Sequence, residues 1–164
     1  MKQLVSRRSA IRVAAVLRKL AWFVLRPRTV GSQIVVLDGR GHVLLVRHSY
    51  DRESLRLPGG GAKRSETFAE CAARELREET SLEVSDPGAL ELLGVYTGRE
   101  GHQTAFLAVF VAPSGSWTGT PARSPEIDTA EFHPPDALPG DTSPATVARV
   151  AEAVSGRRGI SGRW

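Results

Sequence analysis

One short stretch of this chain concentrates acidic groups where they could act together. In ARELREET, residues 73–80, Glu75, Glu78 and Glu79 stand at i, i+3 and i+4, a spacing that stacks side chains on one side of an α-helix. Like charges placed so repel by about 0.3 kcal/mol per pair, and basic neighbours, water or a cation must compensate. At about 100° per residue, Phe68, Cys71, Ala72 and Leu82 lie within about 60° of Glu75, whereas Glu70, Arg77 and Ser81 point away. The carboxylates therefore extend the apolar stripe that faces the protein body. On that face they must be paired or bind metal, and an all-oxygen set suits Mg²⁺ or Mn²⁺. The competing reading is a solvated helix face laced with Glu70–Arg74, Arg74–Glu75 and Glu75–Arg77 contacts.

The elements that must hold this cluster are readable around it. LPGGGAKRSE is a glycine-rich loop, and residues 66–80, free of Gly and Pro, have helical composition. Ser65 caps that helix, or Thr67 does, with Glu70 closing a capping box. Upstream, Ile34–Leu37 and Val43–Val46 predict two strands around a tight turn at Asp38-Gly39-Arg40-Gly41. Downstream, after a break at Asp86-Pro87-Gly88, ALELLGVYTG and QTAFLAVFVA predict two more, the second almost wholly apolar and therefore central. Residues 113–125 read as loop, AEFHP as a last short strand, PATVARVAEAV as a closing helix started by Pro144, and residues 157–164 as a loose tail. The pattern is a mixed α/β layered domain over residues 31–156.

The segment Gly60–Leu82, GGAKRSETFAECAARELREETSL, resembles the signature box of the Nudix hydrolases. That box is Gly, five residues, Glu, seven residues, then Arg-Glu-hydrophobic-any-Glu-Glu-any-Gly-hydrophobic. Gly60, Glu66, Arg74, Glu75, Leu76, Glu78, Glu79 and Leu82 all fall in register, and Ser81 alone departs, standing where the family has Gly. The resemblance implies an α/β/α sandwich around a mixed sheet. It also implies hydrolysis of a diphosphate linkage in a nucleotide or nucleoside-diphosphate derivative, by water activated on Mg²⁺ or Mn²⁺. By position, Glu78 and Glu79 become metal ligands, Glu75 a ligand or the base for the attacking water, and the Gly59 carbonyl a further ligand. Arg74 would orient a glutamate and Glu66 would brace loop and helix. Glu126, in SPEIDTAEFHP, matches the interval at which some members place an extra ligand or base; the alternative is an ordinary loop carboxylate.

Other groups carry weaker readings. Arg47, Arg56, Lys63 and Arg64 flank the glycine loop and could contact phosphate or be plain loop cations. Tyr96, Phe106 and Trp117 could stack on a base or belong to the core. Cys71 reads as a small buried hydrophobe, and His48, His102 and His133 lack metal-ligand spacing. Loops near 50–56, 98–103 and 113–125 would choose the substrate. The alternative function is a nucleotide-binding module that does not turn its ligand over; damage in the glutamate set would favour it, and the set is intact.

Charge separates the head from the body. Residues 1–28 hold eight basic side chains and no acid, so the net +4 of the 164-residue chain arises there while the remainder is −4. A basic head on an acidic body is not a nucleic-acid-binding domain, and no specific nucleic-acid partner is expected. Residues 1–30 predict a basic amphipathic helix stopped near Pro27. Its apolar face docks on the body or on a second subunit as a homodimer, or anchors peripherally on anionic lipid with Trp22 at the interface. Its apolar run is too short to span a bilayer. The single cysteine rules out an internal disulfide and fits a reducing, cytoplasmic setting, with membrane association through the head as an option.

Overall fold

The computed structural model describes residues 29–50, 53–100 and 103–164; the amphipathic helix expected for the head lies outside them, as does His102. In chain order the elements are β1 (Thr29–Val36), β2 (Val43–His48), β3 (Gly59–Gly61), α1 (Phe68–Thr80), β4 (Glu83–Val84), a 3₁₀ turn (Pro87–Ala89), β5 (Glu91–Glu100), β6 (Gln103–Ala112), β7 (Trp117–Thr118), β8 (Ile127–His133), α2 (Pro144–Val154) and β9 (Ile160–Arg163). Five strands form one mixed sheet in the order β3-β1-β6-β5-β9, with β1–β6 and β5–β9 parallel and the other pairs antiparallel. β2 pairs with β8, and β4 with β7, as two small antiparallel ribbons. Among the described residues no helix is long and apolar enough to cross a membrane.

The central strands are apolar at consecutive positions because both faces are covered. Ile34, Val36, Ala108, Phe110 and Ala112 pack against Ala72 and Leu76 of α1 and Leu82 just beyond it. Val35, Val109 and Val111 face the other way, against Val150 and Ala153 of α2. The result is the expected α/β/α sandwich, with α1 and its glutamates clamped over β1.

Two expectations change. β1 and β2 do flank the tight turn, where Gly41 N–H donates to the Asp38 carbonyl at 3.0 Å. They do not continue as a hairpin: beyond a single Leu37–Val43 bridge, β1 joins the large sheet and β2 turns to β8. The tail is also not loose, since Ile160–Arg163 adds the parallel edge strand β9 to β5. Glycine makes that seam possible. A Cβ on Gly94 would stand 2.4 Å from the Ile160 carbonyl oxygen, and one on Gly98 2.8 Å from Trp164 Cβ. Smaller differences are that Trp117–Thr118, expected as loop, pairs with β4, and that β1 begins at Thr29, inside the span assigned to the head.

Of the two candidate caps, Thr67 is the one used. Its Oγ1 accepts from Glu70 N–H while the Glu70 carboxylate accepts from Thr67 N–H, the reciprocal capping box. At the other end Ser81 sits in the left-handed region at φ 62°, its N–H donating to the Arg77 carbonyl. Glycine meets no steric penalty there. Ser81→Gly is therefore expected to raise unfolding stability by about 1 kcal/mol, read as a higher urea midpoint at unchanged slope; a lower midpoint would refute this account of the helix end.

Candidate active site

The glutamates are gathered by packing that starts at the glycine loop. β3 is three consecutive glycines, lying as an edge strand directly beside β1. A Cβ on Gly60 would fall 2.6 Å from the Glu75 carboxyl carbon, so a side chain there would expel the carboxylate. α1 is fixed above by the Ser32 hydroxyl, which donates to the Phe68 carbonyl at 2.7 Å.

Arg74 is the hub. Its Nε donates to Glu66 Oε1 at 2.7 Å and Nη2 to Glu66 Oε2 at 3.0 Å, a bidentate fork. Nη1 donates to Glu75 at 2.7 Å and to Glu78 at 3.0 Å, and Nη2 also reaches the Gly61 carbonyl. The Arg74 bond holds the Glu66 carboxyl down at about 2, and Glu66 also accepts from Lys63 N–H. Glu66 thus bonds both the Lys63 backbone of the loop and the Arg74 side chain of α1. Partial desolvation works against ionised Glu78, but Arg74 and then Lys63 outweigh it and keep its carboxyl below the ordinary value. Glu78 is the most open of the three, and Lys63 Nζ lies 3.4 Å from its Oε1.

Glu79 is different in kind. It is buried, and its Oε2 accepts one hydrogen bond, from Gly59 N–H at 3.1 Å. Desolvation pushes its carboxyl up to about 8; the Gly59 N–H opposes this, and the charges of Glu75, Glu126 and Glu78 add to it. Glu126, in the loop leading into β8, is therefore within electrostatic reach of Glu79. The expected inward cluster is graded rather than uniform: Glu79 is buried, Glu75 half-buried and Glu78 open. Among the described residues no three acidic, histidine or cysteine side chains are grouped to ligate one ion as they stand, and Arg74 bonds both Glu75 and Glu78.

The remaining candidates divide. Lys63 borders the cluster. The Arg47 guanidinium pairs with Asp141, and Arg56 Nε donates to Ser54 Oγ at 3.1 Å. Tyr96 is not at the site. It is fully buried against α2, its hydroxyl donates to Glu152 at 2.8 Å, and burial followed by that carboxylate pushes the phenol up to about 12. It is a core residue in this arrangement. Trp117 stacks on Phe132 with its Nε1–H donating to the Leu37 carbonyl, also a packing role. Cys71 is buried, as expected, and burial raises its thiol. His48, which the spacing marks as ordinary, is brought to the site: it is buried, with Nε2 3.7 Å from Glu79 Oε1. β2 is buried along both faces, so no alternation announced which way position 48 points.

A profile of the NUDIX domain matches residues 27–153. The chain belongs to the NUDIX domain family. An RNA pyrophosphohydrolase from Teredinibacter turnerae (strain ATCC 39867 / T7901) is 37% identical over 65 residues, 40% of this chain; the match spans 36% of that relative's length. Among solved structures, the MutT NUDIX hydrolase from Burkholderia pseudomallei superposes with a TM-score of 0.65 at 19% identity, covering 77% of this chain and 98% of that one. The MutT protein from Bacillus halodurans does so with a TM-score of 0.66 at 22% identity, covering 81% and 86%. At these identities the likeness is one of fold.

Proposed function

We propose that the protein is a pyrophosphohydrolase that cleaves a diphosphate linkage in a nucleotide-like substrate with water. The observation that carries this is Glu79: a buried carboxylate crowded by Glu75, Glu126 and Glu78 and raised to about 8. Such a group is out of balance alone and suits a place where a cation belongs.

The donor set fits a hard divalent ion, Mg²⁺ or Mn²⁺, since every candidate is an oxygen: the Glu75, Glu78, Glu79 and Glu126 carboxylates and the Gly59 carbonyl. Bound there, the ion would neutralise phosphate oxygens and lower the pKa of a coordinated water. The chain's own residues do the positioning. Arg74 stores Glu75 and Glu78 in one place, and Glu66 holds Arg74 against the loop. Glu78, exposed and shared between Arg74 and Lys63, is the carboxylate freest to rotate toward an ion. Glu75, between Arg74 and the Gly60 backbone, would serve as a ligand or take a proton from the attacking water. The RNA pyrophosphohydrolase relative supports the bond type.

The test is turnover of a panel of nucleoside diphosphate derivatives with Mg²⁺ or Mn²⁺ in ¹⁸O-labelled water. The expected result is cleavage that chelator abolishes, with label in one phosphate product. Tight nucleotide binding without turnover under any metal would overturn the proposal in favour of a binding module.

A further inference from the structure

The face of the sheet that carries α1 is only partly covered by it. Alternation along each strand fixes which side chains share that face. Ser32 reaches α1 through the Phe68 carbonyl and Ile34 packs in the same cluster, so Val30 points the same way. Ala108 and Phe110 pack against α1 too, and their register partners on β5 are Val95 and Leu92. Yet Val30, Leu92 and Val95 are 41%, 41% and 42% exposed, and Phe68 at the start of α1 is 42% exposed. Phe106, the register partner of Val30, lies half-buried on β6, between β1 and β5. On its other face β5 buries Leu93 and Tyr96 completely. Single exposed aliphatics are ordinary, but several gathered on one sheet face mark a docking surface.

The occupant within reach is the chain's own head. Residues 1–28, outside the described residues, run directly into β1, whose first residue Thr29 adjoins Val30. In their sequence Val13, Val16, Leu17, Leu20, Phe23 and Val24 recur at helical spacing. Only residues 25–28 separate that run from Thr29, and at no more than about 3.6 Å per residue they keep its end close to Val30. From Val30 the strip crosses β6 to β5, two strand spacings or roughly 10 Å. An apolar stripe from position 13 to 24, roughly 17 Å long in helical form, is long enough to cover it. So short a tether holds the run at an effective concentration of about millimolar or more, against which a second molecule must compete. Charge acts in the same sense, since the head carries eight basic side chains and the remainder of the chain is −4.

We propose that this strip is the docking surface for the chain's own residues 13–24, whose apolar side lies on Val30, Leu92, Val95 and Phe106 while their basic side chains stay in water. Docking of this kind involves neither the glutamates nor the substrate, so it stands apart from the hydrolase reading. It extends the layer that α1 begins and covers the part of the sheet that α1 leaves open.

Trypsin digestion of the native full-length protein reads how often the head lets go, since cleavage follows the population of the opened form. Cutting after Arg12, Arg18 and Lys19 should be at least about tenfold faster in Leu92→Glu and Val95→Glu than in the parent, because a charge replaces a covered aliphatic contact. Val154→Glu, at an exposed apolar position on α2, should be cut as the parent is. The converse is read without altering the strip: in Leu20→Glu, hydroxyl-radical labelling of Phe68 and Leu92 should rise while that of Val154 stays the same. Parental cutting in both strip variants overturns the proposal, and so does parental labelling in Leu20→Glu. Should a strip variant fail to fold, the labelling still decides. Two other occupants have signatures of their own. A parent dimer in analytical ultracentrifugation that Val95→Glu dissociates would assign the strip to a second copy. A parent that sediments with phosphatidylcholine–phosphatidylserine vesicles as strongly as Val95→Glu does would assign the head's apolar side to lipid. Either result overturns docking on the chain's own body; the expected results are one mass for parent and Val95→Glu, and no vesicle binding by the parent.

Discussion

In the presence of chelator, Glu79→Gln is expected to be more stable than the parent at neutral pH, although it removes a side chain proposed for catalysis. Folding raises the Glu79 carboxyl from 4.5 to about 8. Between those values the folded chain keeps a proton that the unfolded chain has released. Stability of the metal-free parent therefore falls as pH rises through that window, by up to about 1.4 kcal/mol per unit, and levels off above it. Glutamine fills the same space, can still accept from Gly59 N–H and has no proton to lose. At pH 7 the variant should gain on the order of 2–3 kcal/mol over the metal-free parent. Mg²⁺ or Mn²⁺ should stabilise the parent increasingly toward high pH, where the carboxylate is ionised, and affect the variant little. Hydrolysis should fall by about 10³-fold or more, since in the proposed mechanism several kcal/mol of transition-state stabilisation would come from the ion. Urea denaturation from pH 5 to 9, with and without metal, checks the first part and steady-state kinetics the second. A metal-free parent whose stability does not decline with pH, or a variant that turns over normally, would remove Glu79 from the centre of the site.

What was legible in the sequence is what short-range chemistry controls. The register from Gly60 to Leu82, the capping box at Thr67 and Glu70, and the misfit of Ser81 at a left-handed helix end all depend on neighbours along the chain. What was hidden depends on pairing across long separations. The turn at Asp38–Gly41 is local and was readable, but where β2 goes afterwards is decided by β8, more than 80 residues away in register pairs such as Val43 with His133. β9 was missed because ISGR is short and carries two small residues, and glycine in a strand ordinarily weakens it. Its signal lay in the partner: Gly94 and Gly98 are costly in β5 unless another segment approaches closely, as the Ile160 backbone and the Trp164 side chain do. Tyr96 illustrates the same limit. A strand aromatic can face ligand or core, and here Glu152 of α2, 56 residues on, settles it by accepting the hydroxyl.

The second large effect belongs to Arg74, a residue proposed to act through others. Its side chain is 13% exposed and holds Glu66 and Glu75, themselves 12% and 15% exposed, along with the more open Glu78. Arg74→Met would keep much of the aliphatic packing and remove the only cation bonded to Glu66 and Glu75 among the ion pairs of the described residues. Stranding partly buried carboxylates costs about 3–5 kcal/mol. Arg74→Lys should recover only part, because an ammonium cannot reproduce the bidentate fork to Glu66 while also reaching Glu75 and Glu78. The pH dependence distinguishes this from a simple packing loss. The Arg74 bond holds Glu66 at about 2 against an ordinary 4.5. A depressed carboxyl stabilises the fold above its unfolded value, and that contribution disappears as pH falls through the folded one. The deficit of Arg74→Met should accordingly be full at pH 5 to 7 and shrink as pH falls from 4.5 toward 2. Urea midpoints across that range are the measurement; a deficit below about 1 kcal/mol, or one that does not change with pH, would mean that the carboxylates do not depend on Arg74. Hydrolysis, assayed where the variant remains folded, should drop further than the population of folded protein explains, because Glu75 and Glu78 would then be free to move apart before an ion could gather them.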